Sequence, residues 1–301
     1  GAVFTKWRVT VTIDPAKNLP SEANIRKNMV VLARSAKMTQ EAGLVPIVEP
    51  EVLLDGAHDI NLSYKITTRT LEILFEELVN AGVWLEGVVL KTSMILSGNK
   101  AALRADSQTV GYETLKGLLK TVPFEMPAIV FLSGGQGDAE VNENLNGVSL
   151  VRLHRFQEAR NEAAAELAAE GKTEAALRVR HVLQAPWQVS YSFGRGLQRP
   201  GLKVWQGKPE NFQPAQEALR QAALTTQKAR LGQLHDVRQP SSAVLSDETS
   251  SHTQRKAHLA SVIANMVPAS GGILAADEST GSAGKRLESV GLPNTPENRE
   301  A

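Results

Sequence analysis

Short apolar runs alternate with longer stretches of helical period over the first two-thirds of the chain. Trp7 to Ile13, rich in Val and Thr, predicts a strand. Asn24 to Glu41 predicts a helix with Ile25, Met29, Leu32, Ala33 and Ala36 on one face. Leu44 to Val48 predicts a short buried strand, and Leu71, Leu74, Phe75, Leu78 and Val79 fall at the spacing of an amphipathic helix. Leu85 to Leu90 predicts the next strand and Ser107 to Thr121 a helix. Ala128 to Leu132 predicts a strand running into the turn Ser133-Gly134-Gly135, and Val189 to Phe193 closes the series. Strands that alternate with helices imply βαβ units and a parallel sheet. Glu49, Lys91, Ser133 and Arg195 recur just after the predicted strands. In an α/β barrel that end of the strands carries the active site.

Three segments break this rhythm. Glu158 to Arg180, rich in Ala, Glu and Arg around Gly171-Lys172, predicts a helical hairpin inserted between two strands (an insertion of about 151–185), with its charge on a solvated face. Residues 233–252, rich in Ser, Asp, Gln and His, predict a linker. Residues 253–301 then regain globular character. Leu259, Val262, Ile263, Met266 and Val267 are helix-spaced, Gly271 to Ala276 predicts a strand, and Asp277-Glu278-Ser279-Thr280-Gly281-Ser282 follows.

Composition narrows the class. The 301 residues suit one (β/α)8 barrel of about 250 residues with insertions. A net charge of +1 implies no broad electropositive field, so nucleic acid is not an expected partner and any anion site is local. With no cysteine, a disulfide scaffold, a thiolate nucleophile and thiolate-bound zinc are excluded. No apolar run reaches the roughly 20 residues of a bilayer span, so no membrane partner is expected. The chain opens on Gly1 rather than methionine and reads as a cut end. The six histidines show no i, i+4 pair and no cluster with other ligands, so no metal is expected.

Several residues have the chemistry of a site. Lys91 ends an apolar run. It reads either as an exposed charge or as a desolvated amine able to form a Schiff base, which requires a depressed pKa from burial or a neighbouring cation. Lys6, beside Arg8, is such a cation. Glu49 and Glu51 close a buried strand, and Asp277-Glu278 follow another. Each is a candidate for acid–base work or for a structural ion pair. Ser133-Gly134-Gly135 and Ser192-Phe193-Gly194-Arg195 are glycine turns that let backbone N–H groups approach an anion. Ser279, Gly281 and Ser282 repeat the type, with Lys285 and Arg286 one turn later.

Six of these segments together resemble class I fructose-bisphosphate aldolases. Gly272 to Ser282 is similar to the family's first-strand motif, Lys6-Trp7-Arg8 to its fourth strand and Gly43 to Glu51 to its fifth. Leu85 to Lys91 resembles the strand of its Schiff-base lysine, and Phe131 to Gly135 and Ser192 to Arg195 resemble its two phosphate-binding turns. The resemblance implies a TIM barrel and the reversible cleavage of fructose 1,6-bisphosphate to dihydroxyacetone phosphate and glyceraldehyde 3-phosphate. It implies Lys91 as iminium former, Glu49 as proton carrier, Lys6 as its assistant and Asp277 as base at the C4 hydroxyl. Ser133, Gly134, Gly194 and Arg195 would hold one phosphate and Ser279 and Ser282 the other. Arg8, Glu51, Ser192, Lys285 and Arg286 would line the site. No cofactor is implied. A homotetramer is, and so is a cytoplasmic place, or a plastid one if a transit peptide lies outside this chain.

The departures are equally specific. The first-strand segment stands at the C-terminus, and nothing matches the family's second and third strands, so the expectation is a permuted or incomplete barrel with about six of eight strands. Residues 1–232 would carry strands four to eight, and 253–301 the first strand with flanking helices. The third-strand lysine has no counterpart, Lys91-Thr92-Ser93-Met94 replaces Lys-Pro-Asn-Met, and no tyrosine precedes the linker. Two arrangements fit: a window cut from tandem aldolase domains, which the exposed edges of a six-strand permutant favour, or a true circular permutant. The competing functional expectation is an inactive fragment or pseudoenzyme that binds a partner through the charged insertion. A different Schiff-base enzyme acting on another sugar phosphate is the third.

Overall fold

The computed structural model describes residues 1–235, 254–268 and 271–300. Six strands form one parallel sheet in chain order: β1 (Phe4–Val11), β2 (Val45–Val52), β3 (Val89–Thr92), β4 (Ala128–Phe131), β5 (Gln188–Phe193) and β6 (Ile273–Leu274). Helices α1 (Glu22–Glu41), α2 (Ile60–Asn80), α3 (Ser107–Thr121) and α4 (Asp138–His154) connect the first five strands. Asp59 and Asp106 cap α2 and α3 by accepting from the N–H groups of Leu62 and Thr109, each at 2.8 Å. A flat parallel sheet would hold its outer strands roughly 24 Å apart at the usual strand spacing. Yet Lys6 on β1 touches Asp277, just past β6, at 2.5 Å. The sheet is therefore curled into an incomplete barrel whose edges, β1 and β6, meet only through side chains among the described residues.

Period-two alternation divides each strand between two environments. Val48, Leu90, Ile129 and Phe131 face outward into the main core beneath the helices. Val45, Ile47, Val89, Ala128 and Val130 face the barrel interior at its lower end. That end is plugged by Leu259 and Ile263 of α9 (Gln254–Met266) and by Val267 just past its end, spaced i, i+4, i+8. Continuing up the same inner face, β2 presents Glu49 and Glu51 and β3 presents Lys91. The first-strand segment docks beside the last strand of the main body, with Ser192 opposite Ile273 and Phe193 opposite Leu274. The helices that flank this junction are α7 (Arg195–Trp205) and α8 (Phe212–Arg230) after β5, and α10 (Thr280–Glu288) after β6.

Four details differ from the sequence expectation. Leu85–Gly87 is a 3-10 turn, so the strand starts at Val89 and Lys91 lies within it rather than ending it. Val79 is exposed, because it sits one position beyond the buried stripe that ends at Leu78. The Gly271 to Ala276 strand shrinks to two ladder residues. The inserted helices α5 (Phe156–Ala169) and α6 (Thr173–His181) form the expected hairpin, but its charge is not simply solvated. Glu166 accepts from the Tyr64 hydroxyl at 2.6 Å and lies 3.3 Å from both Lys116 and Lys120. Lys172 reaches Glu72 at 2.8 Å and Arg178 reaches Glu125 at 2.8 Å. The hairpin is thus keyed onto α2 and α3. Of the predicted linker, residues 236–252 lie outside the described residues.

Candidate active site

The inner face of the sheet opens at the C-terminal strand ends into a cleft of about 1160 Å³. All fifteen residues that the resemblance implies for the site line it, from Lys6 and Arg8 on β1 to Lys285 and Arg286 on α10. At its floor Lys91 is only 5% exposed, and its Nζ lies 3.3 Å from Glu49 Oε1. Glu49 Oε2 lies 3.1 Å from Lys6 Nζ, which in turn lies 2.5 Å from Asp277 Oδ2. Cation, anion, cation and anion therefore alternate along one line drawn from four different strands or strand ends.

This alternation sets the charge states at the outer end. Burial works to lower the Lys6 pKa, but the hydrogen bonds that Lys6 donates to Asp277 and Glu49 and the charges of those two carboxylates outweigh it and hold it above 10.5. Burial works to raise Asp277, but the hydrogen bond and charge of Lys6, with the charge of Lys91, hold its carboxyl below 3.8. Asp277 is accordingly an ionised base at neutral pH. Arg8 donates to Glu51, and Glu51 packs so closely on Gly134 that a Cβ there would collide with its Oε1.

The expected anion turns surround this line. Ser133 and Ser192 are nearly buried at the ends of β4 and β5, while Gly194 and Arg195 open α7. Opposite them Ser279 caps α10, accepting from the Ser282 N–H at 3.3 Å, with the two hydroxyls 3.2 Å apart. Both turns border one cleft, and helix N-termini favour anions there. The lining comprises eight basic and four acidic side chains, so the positive charge is local, as a net charge near zero requires. Gln198, Arg199 and Lys203 also line it and were not singled out from the sequence. Their signal was helical spacing from Arg195, which places them on one face of α7. Arg199 and Lys203 are held by Asp138 at 3.0 and 3.6 Å. Among the described residues no group of three or more His, Asp or Glu side chains has the arrangement of a metal site.

An incomplete parallel α/β barrel with a buried lysine against a buried carboxylate, bordered by anion-binding turns, defines the class of protein. The family model described as fructose-bisphosphate aldolase class-I matches residues 1–160, 158–254 and 258–301. The chain belongs to that family. It is 37% identical over 232 residues to fructose-bisphosphate aldolase of Plasmodium falciparum, covering 77% of this chain and 54% of that one. It is 40% identical to the cytoplasmic isozyme 2 of Pisum sativum, over 77% and 55%. A solved structure of the Plasmodium falciparum aldolase, in complex with TRAP and a small-molecule inhibitor, superposes with a TM-score of 0.66 at 36% identity, covering 77% of this chain and 58% of that one. The chain spans about half the length of the curated relatives it matches.

Proposed function

We propose that this chain carries the aldolase reaction, the reversible cleavage of fructose 1,6-bisphosphate through a lysine Schiff base. The observation that carries the reading is the continuous line Lys91–Glu49–Lys6–Asp277 inside a cleft bordered by both anion turns. Glu49 stands where it can take a proton from the Lys91 ammonium, freeing the amine to attack the C2 ketone. The carbinolamine then loses its oxygen as water, with Glu49 returning the proton and Lys6 steadying the charge. In the iminium, Asp277 takes the C4 hydroxyl proton as the C3–C4 bond breaks. Glyceraldehyde 3-phosphate leaves, and the electron pair passes into the iminium to give an enamine. Protonation at C3 and hydrolysis then release dihydroxyacetone phosphate and restore Lys91. Ser133, Gly134, Gly194 and Arg195 would hold one phosphate, and Ser279 and Ser282 the other. Arg8, Glu51, Ser192, Lys285 and Arg286 would complete the lining.

On this reading residues 1–232 act as the main body and 253–301 as a docked segment that supplies Asp277, whether the parent arrangement is a permutant or a tandem. The alternative, an inactive module binding a partner through the hairpin, is less favoured, because Glu166, Glu170, Lys172 and Arg178 are engaged with the barrel itself. A homotetramer is carried over from the family, and a cytoplasmic place from the pea and Arabidopsis relatives named as cytoplasmic and cytosolic isozymes. No described helix is long and apolar enough to cross a membrane. Borohydride reduction in the presence of dihydroxyacetone phosphate tests the reaction. A covalent adduct on the Lys91 peptide is expected, and an unmodified Lys91 would overturn the reading.

A further inference from the structure

The tether that places Asp277 is short. β6 contributes two ladder residues, followed by one further bond from the Ala275 N–H to the Phe193 carbonyl at 3.0 Å. Asp277 lies two residues beyond. At this point Gln198, one turn into α7, donates from Nε2 to the Ala275 carbonyl at 3.2 Å. Its Oε1 accepts from Arg286 Nη1, and the same guanidinium donates to Glu278. Gly194, at the start of α7, backs onto this group, for a Cβ there would stand 3.2 Å from the Ala275 carbonyl and 3.5 Å from Glu278 Oε1.

We propose that Gln198 is a positioning residue: its amide N–H fixes the strand end that carries Asp277, and its amide oxygen fixes the guanidinium of Arg286 at the rim of the cleft. An amide suits both tasks because it donates at one atom and accepts at the other. The consequence for catalysis rests on the proposed aldolase reading; the mechanical consequence does not. Two variants separate the two halves of the amide. Gln198→Glu keeps an acceptor for Arg286 but places a carboxylate against the Ala275 carbonyl. Gln198→Leu loses both partners at similar size.

Cleavage of fructose 1,6-bisphosphate by the full chain is the first readout. Gln198→Glu is expected to lower kcat about tenfold with KM little changed, the size expected from losing one hydrogen bond that orients a reacting group. Gln198→Leu is expected to lower kcat similarly and also to raise KM several-fold, through Arg286. Amide hydrogen exchange is the second readout and needs no turnover. Both variants should exchange about tenfold faster over 273–277 than the parent, with 45–52 unchanged. Parent-like exchange there in both variants overturns the proposal, as does parent-like kcat in an active chain. Accelerated exchange in the variants of a parent chain that does not cleave the sugar overturns the aldolase reading and upholds the tether.

Discussion

The two sides of the cleft are built on different principles. On the main body, Glu49 and Lys91 belong to inner strands, with neighbours paired on both sides, and each is about 5% exposed. On the docked segment, Asp277 has a side chain half exposed, and Ser279 and Ser282 lie at the surface. Their strand has two ladder residues, against eight in the β1–β2 pair. The nucleophile side is thus positioned by burial, whereas the base side is positioned by a few polar contacts, chiefly Lys6–Asp277 and the Gln198–Arg286–Glu278 group. Burial fixes a group by excluding alternatives. Polar contacts at a surface fix it only while each partner keeps its charge or hydrogen bond.

The strongest way to break this contrast is at the buried side. Glu49→Gln removes the only carboxylate among the described residues within 4 Å of both Lys6 and Lys91, leaving two ammonium groups facing a neutral amide. Turnover should fall by about a thousandfold, the scale of a lost acid–base group, and urea unfolding should show a loss of about 3 kcal/mol from the broken buried pair. Parent-like stability in this variant would mean that burial is not what fixes the floor. At the exposed side, Asp277→Asn should lower kcat by about a hundredfold while leaving the midpoint of global unfolding within the error of the measurement.

A smaller effect is expected from pH. Asp277 is held below its ordinary value in the fold, so its contribution to docking is present above about pH 4 and is lost as pH falls through the depressed native value. Lys6 is held above 10.5, so its contribution is present below that value and is lost as pH rises through the raised one. Docking of 271–288 should therefore be level between about pH 5 and pH 9, weakening first at the acid end. Exchange protection of Ala275 followed across pH checks this, and a step near neutrality would contradict the ion-pair account. The smallest effect belongs to the hairpin. Tyr64→Phe deletes the hydroxyl that donates to Glu166 and should cost about 1 kcal/mol of stability with unchanged kcat. A larger loss of activity than of stability would restore a functional role to the hairpin.

Much of this is legible in the sequence. Glu49 and Glu51 stand directly after the predicted strand Leu44 to Val48, which already puts them at a strand end; the structure carries the strand on to Val52 and so sets both carboxylates on the face of Val45 and Ile47. The motifs around Lys91, Ser133, Arg195 and Ser279 likewise gather at one mouth, because parallel strands all end on the same side of a barrel. Two features were not legible. Gln198 carries no charge and belongs to no glycine turn, so only its distance to Ala275 and Arg286 gives it a task. The hairpin's acidic run looks like any solvated helix face until Lys116, Lys120 and Tyr64 are found beneath it.

The sequence by itself determined the alternation of strands and helices, the residues that carry the candidate chemistry and the family to which those motifs belong. These follow from local periodicity and residue chemistry, which are properties of short stretches. Only the tertiary structure decided that the C-terminal segment docks beside β5, that Lys6 stands between Glu49 and Asp277, and that the hairpin is pinned to α2 and α3. Those contacts join residues tens to hundreds of positions apart, and the energy that selects them comes from burial and charge pairing that exist only once the sheet has curled.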